Sequence, residues 1–273
     1  MPNIDSAAVI QYQSQFETAL QQKGSKLRPF VYEESVQGES TRFGSVGESN
    51  VQEDRPLGQA IEFDSDNPIE NSLAEMKGYE AARLINKLQE FELKAPIRQK
   101  FADANAMALA RSMDKVLLNA MKASNTSAGA AAPFDMALLS TVSELTETYD
   151  WETDERTLVI TPRVYNKLMQ INQYGSADFN KGAPLVNGRA TSFMGWNIVV
   201  SSLLQSKDYW NTSVIHNCYA FANHAVGLGV SQDIQSDVEW RSDLRAWQAI
   251  ADMKIGAATI LPKGVLKVTV NGL

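Results

Sequence analysis

The feature that most constrains this chain is a run of about forty residues with too little apolar surface to build a core of its own. From Leu27 to Asn67 it reads LRPFVYEESVQGESTRFGSVGESNVQEDRPLGQAIEFDSDN. Two β-prone stretches, Leu27 to Val36 and Ser40 to Val46, are followed by the polar run Glu48 to Arg55 and a third strand pattern from Gln59 to Phe63. Gly38, Gly44, Gly47 and Gly58 punctuate them. Ordering such a segment costs backbone entropy that its own side chains do not recover. It therefore has to move freely or lie on another protein, and the second reading points to assembly.

The rest of the sequence is ordinary globular material. Its 273 residues are 44% apolar and 21% charged, enough for one large domain or two smaller ones. No run approaches the roughly 18 consecutive apolar residues of a membrane helix, and the N-terminus lacks the basic-then-apolar order of a signal peptide. Cys218 is the single cysteine, which excludes an intrachain disulfide framework or a cysteine metal cluster and fits a reducing compartment. The net charge is -7, from 25 basic and 32 acidic residues, with no basic stripe. Proteins that grip nucleic acid gain binding free energy by releasing counterions at such stripes, so any relation to nucleic acid here is containment.

Along the chain, the first 24 residues are rich in Ala, Gln and Ser, and Val9, Ile10, Tyr12, Phe16 and Leu20 fall roughly on one helical stripe. They read as a short amphipathic helix or as an arm that orders against a neighbouring subunit. Leu73 to Leu93 reads as helix or strand. The clearest helix runs from Ile97 to Ala123, where Ile97, Phe101, Ala104, Ala108, Ser112, Val116 and Ala120 recur three or four apart. Leu109, Met113, Leu117 and Met121 widen its apolar band, and its length is about 40 Å. After the linker SNTSAGAAAP come a helix from Phe134 to Trp151 and a buried strand from Leu158 to Ile160. The next helix has Thr161 as N-cap and Pro162 at its first position. Strand patterns follow at Trp196 to Leu204 and within Ser213 to Ile234. At the end, Val265, Lys267 and Thr269 alternate with Leu266, Val268 and Val270.

Nothing in this pattern carries catalysis. His216 and His224 are the only imidazoles, and Cys218 two residues from His216 would stand about 7 Å away along a strand, too far for a nucleophile and its base. No zinc-ligand spacing, dinucleotide fingerprint or phosphate loop occurs. The acidic pairs, such as Glu33-Glu34 and Glu53-Asp54, sit in loop-like sequence, where solvated faces or intersubunit contacts are the physical expectation. The reading is therefore no catalytic, cofactor-binding or metal site.

Several phrases, in order, resemble the major capsid proteins of tailed bacteriophages: ESTRFGSVGE, APIRQKFADANAMALARSMDKVLL, VITPRVYNKL, AFANHAVGLGV and IGAATILPKGVLKV. The last is most similar to capsid proteins of short-tailed phages. The resemblance implies a mixed α/β (α+β) chain of the HK97-like capsid fold. Its parts would be an N-terminal arm (1–26), an extended loop (27–67), a peripheral domain (68–156 and 238–273) with a spine helix (97–123), and an axial domain (157–237). It implies a major capsid protein that self-assembles into an icosahedral shell around double-stranded DNA, in the virion, after assembly in the bacterial host cytoplasm. The implied partners are identical subunits as pentamers and hexamers, a separate scaffolding protein, a portal protein and a decoration protein. DNA would be enclosed without sequence-specific binding, and no membrane is involved.

An encapsulin-like compartment shell shares that fold, and a soluble α/β enzyme is the remaining alternative. The mixed charges of the extended loop suit registration between subunits better than a hydrophobic core. Glu33, Glu34, Glu39, Arg42, Glu48, Glu53, Asp54 and Arg55 are accordingly the candidate intersubunit contacts, with Arg42 first among them. Phe101, Leu109, Met113 and Leu117 are the candidate core anchors of the long helix.

Overall fold

The computed structural model describes residues 21–47, 69–86, 97–124, 126–152, 155–171, 192–205 and 215–271. In chain order the elements are a 3-10 turn (Arg28–Phe30), β1 (Tyr32–Ser35), β2 (Ser40–Val46), β3 (Ile69–Glu75), β4 (Lys77–Asn86), α1 (Ile97–Lys122), β5 (Ala132–Pro133) and α2 (Met136–Thr148). They continue with β6 (Arg156–Ile160), α3 (Pro162–Met169), β7 (Ser192–Phe193), β8 (Trp196–Val200), β9 (His216–Ala222), β10 (Val226–Arg241), β11 (Ala246–Thr259) and β12 (Val265–Asn271). The helix read in the first 24 residues and the strand read at Gln59 to Phe63 lie outside the described residues.

The described chain divides into two compact units. One comprises Lys26–Lys77, Asp114–Ser231 and Ile255–Leu273. Its six-stranded sheet has the order β5-β12-β9-β6-β8-β7. All five residues of β6 are buried, as expected for a strand covered on both faces. It runs parallel to β8 (Leu158 opposite Ile198) and antiparallel to β9 (Leu158 opposite Ala220). The turn into α3 follows the sequence expectation: the Thr161 hydroxyl accepts from the Val164 N–H, and Pro162 opens the helix. Helix α2 is capped by Asp135, whose carboxylate accepts from the Leu138 N–H, and buries Leu138, Leu139 and Val142. Ser143 on the same helix accepts from the Trp196 indole at 3.3 Å.

Strand β12 shows the predicted period-2 alternation, with Leu266, Val268 and Val270 buried and Lys267 and Thr269 half-buried. It pairs antiparallel with β9, from Val265 opposite Phe221 to Val270 opposite His216. The two units divide the expected peripheral domain between them: 255–273 falls with 114–156, and 238–254 falls with 78–113. The C-terminal strand lies between β9 and β5, pairing parallel with β5 from Val270 opposite Ala132 to Asn271 opposite Pro133.

The other unit comprises Met1–Ser25, Gly78–Met113 and Gln232–Lys254. Its described part holds most of β4, the first half of α1, and the β10–β11 turn with the strand ends that lead to it. Asn105 donates to the Ala249 carbonyl at 3.0 Å, and the Arg98 guanidinium stacks 3.9 Å from the Trp247 ring centroid.

Helix α1 forms where expected, but its buried stripe is rotated. Ala102, Asn105, Leu109, Met113, Leu117 and Met121 are buried, whereas Ala104, Ser112, Val116 and Ala120 are half-buried and Ala108 is exposed. Of the four candidate anchors, Leu109, Met113 and Leu117 are buried. Phe101 is half-buried, its ring under the Arg83 guanidinium at 5.5 Å.

Candidate assembly surfaces

The long polar segment divides into two parts with different fates. Its beginning folds onto its own chain. Leu27 is fully buried, and the Lys26 and Leu27 N–H groups donate to the buried Asp114 carboxylate at 3.1–3.2 Å. β1 then pairs parallel to β10, from Tyr32 opposite Gly227 to Ser35 opposite Val230. Residues 27–35 of the expected extended loop are thus held by their own chain.

From there β2 and β3 form an antiparallel hairpin, from Ser40 opposite Glu75 to Val46 opposite Ile69. The second strand lies beyond the expected loop end at residue 67. One hairpin face carries Phe43 and Ala74, which are buried with Val36, Met76 and Ala258. Glycine makes this seat possible: a Cβ at Gly227 would stand 2.8 Å from the Phe43 ring, and one at Gly256 would overlap the Glu75 carbonyl. The opposite face carries Arg42, Val46, Ile69 and Leu73, all exposed; Val46 is 74%, Ile69 58% and Leu73 52% accessible. Val46 and Ile69 are direct cross-strand partners, as are Arg42 and Leu73. The result is an apolar patch with one cation beside it, presented by a hairpin whose other face is fixed to the body.

The other candidate contact residues are dispersed. Glu33 is engaged within its own chain by Arg28, at 2.7 Å and 2.9 Å. Glu34 is exposed on β1, and Glu39 is exposed just before β2 with its carbonyl accepting from the Met76 N–H. Glu48, Glu53, Asp54 and Arg55 lie outside the described residues. Sequence reasoning passed over Val46, Ile69 and Leu73, although the alternation in STRFGSV already placed Val46 on the face opposite Phe43.

A second exposed feature is the β10–β11 turn. Trp240 packs edge-on against Trp247, with ring centroids 5.3 Å apart, while Trp240 and Leu244 remain accessible to solvent. Arg241 grips Asp243 through two hydrogen bonds of 2.8 and 3.0 Å, and this holds the Asp243 carboxyl down to about 2. Both members keep their charge down to that range, and the pairing is lost as pH falls through it.

No catalytic constellation assembles from the described residues. His216 and Cys218 share a face of β9, and both are buried. Burial pushes the Cys218 thiol up to about 12, against a smaller opposing effect from a hydrogen bond with the Thr161 backbone. Burial, aided by the positive charge of Arg163, pushes the His216 imidazole down. His224 lies apart from both in an exposed turn, 3.3 Å from Glu155. Among the described residues no group of three or more His, Cys, Asp or Glu is arranged to hold a metal ion. A cavity of about 570 Å³ at the foot of the hairpin is lined by Glu70, Asp150, Trp151, His224 and Lys263, among others.

An exposed apolar face on a hairpin whose other face is buried is a surface suited to contact with another chain. The family comparison makes this specific: residues 4–271 match the phage capsid protein family, and the chain belongs to that family. It is a structural protein, of the major capsid protein kind, and not an enzyme. No curated relative matches the sequence significantly.

Among solved structures it is similar to a chain of Mycobacterium phage Che8, with a TM-score of 0.75 at 16% identity over 94% of this chain and 95% of that one. It is also similar to the capsid of the cyanophage P-SCSP1u, with a TM-score of 0.72 at 15% identity over 97% and 94%. The virus-like particle from Pyrococcus furiosus matches with a TM-score of 0.57 at 12% identity over 90% and 92%. The fold is thus the expected HK97-like mixture of helix and sheet.

Proposed function

We propose that this chain is the repeating subunit of a closed icosahedral shell that encloses the double-stranded DNA of a tailed phage, assembled in the host cytoplasm from pentamers and hexamers. The observation that carries the reading is the family match across 4–271, with which the outward apolar face of the β2–β3 hairpin is consistent. The hairpin reaches over a neighbouring subunit, with Arg42, Val46, Ile69 and Leu73 facing it. The six-stranded sheet belongs to the axial part of the subunit, and the first half of α1 with the β10–β11 turn to the peripheral part. A separate scaffolding protein, a portal and a decoration protein complete the particle.

Each contact is weak alone, yet a subunit held by several neighbours gains effective concentration at every further contact. The net charge of -7 fits an inner wall that holds DNA without adhering to it. Electron microscopy and nuclease protection of particles purified from infected cells test this directly. Shells of this chain with protected double-stranded DNA are expected. Particles filled with a protein cargo and no DNA would move the chain to the compartment shells, and a persistent monomer in the presence of its partners would remove the reading.

A further inference from the structure

His216 occupies an unusual position for a titratable group. It opens β9 in the six-stranded sheet, is only 1% accessible, and neither of its ring nitrogens has a hydrogen-bond partner among the described residues. A buried imidazole without partners is unfavourable even when neutral, and far more so when it carries a charge. We infer that His216 is a proton-sensitive element of this sheet: taking up a proton there puts an unpaired charge into the buried end of the β9–β12 pair, and loosens that pair.

Among the described residues on the elements around the ring, none offers an acceptor or a counter-charge for the proton. Arg163 of α3 acts on the ring with a charge of the same sign. On β9 itself the titratable residue sharing its face is Cys218, whose thiol burial keeps neutral. On β12 the register partner is Val270, followed by Val268. Burial and Arg163 thus both hold the folded-state imidazole below its ordinary value of 6.5. The sign follows: above that value neither folded nor unfolded chain binds the proton and stability is complete. As pH falls below it the unfolded chain takes up the proton first, and stability falls with it.

The chain has two histidines, so the response between pH 5 and 8 can be assigned cleanly. Thermal unfolding of the full-length protein at a fixed scan rate should show a Tm that falls below pH 6.5, by up to about 2–3 °C per pH unit for one proton in a chain of this size. His224→Gln should keep this dependence and His216→Leu should flatten it. An unchanged slope in His216→Leu, or a flat one in His224→Gln, overturns the inference. Should His216→Leu not fold, hydrogen exchange of the wild type decides. Protection at 216–218 and 268–270 should drop by about tenfold per pH unit relative to the amides of α1, and an unchanged ratio counts against the role.

Discussion

Asp114 shows how a single side chain can anchor a long-range connection. It sits in the middle of α1 with no accessible surface, and its carboxylate receives the N–H groups of Lys26 and Leu27. Removing the acceptor leaves two backbone donors in a dry site, so Asp114→Ala should lower stability by about 1–3 kcal/mol. It should also expose the amides of 26 and 27 to exchange, measurable by denaturant titration together with hydrogen exchange. Cys218 gives a second outcome at this scale. With its thiol pushed up to about 12 and no accessible surface, it should resist alkylation in the native protein at pH 8 and react once the chain is unfolded, as mass spectrometry would read. The sequence made it legible that Cys218 is no nucleophile partner of His216, because two residues along a strand put them about 7 Å apart. Asp114 was not legible, because a charged residue in a helix reads as a solvated position until its distant partners are known.

At the scale of elements, α1 separates periodicity from burial. Its alanines recur on several faces, and small residues satisfy an apolar period without being covered, which is why the row through Ala104 and Ala108 resembled the core face. The true stripe is defined by bulk: Leu109, Met113, Leu117 and Met121. Leu117→Ala should therefore cost about 2–5 kcal/mol, whereas Phe101→Ala should cost clearly less, since its ring is only partly buried and lies near the Arg83 guanidinium. Chemical denaturation of both variants checks the order. Strand β2 was legible to the residue because STRFGSV alternates. Its partner IENSLAE was not, because a polar strand is specified by pairing across sequence and not by its own pattern. The glycines beneath the hairpin were likewise visible as letters but not as a seat. Gly256→Ala puts a methyl group into the Glu75 backbone, and overpacking of that kind costs about 1–3 kcal/mol, again readable by denaturation.

For the whole molecule, the order of landmarks carried the fold even though identity to the solved relatives described is 16% or lower, since element order and hydrophobic pattern outlast individual residues. Which surface meets a neighbour was less accessible, because charges in the loop drew attention while the exposed apolar residues lay at the strand ends. Val46 and Ile69 now provide the sharpest test of assembly. They face each other across the hairpin on the side turned away from Phe43, so they add nothing to the subunit's own core. If a neighbour covers them, each contributes about 1.5–3 kcal/mol at full burial. A carboxylate in either place would lose that contribution and add the cost of desolvating a charge. The double variant Val46→Asp, Ile69→Asp should therefore unfold within about 0.5 kcal/mol of the wild type, as surface substitutions do, yet form no shells by sedimentation and electron microscopy. Normal shells from this variant would show that the hairpin face stays in solvent, and a large loss of subunit stability would return these residues to the subunit's own packing.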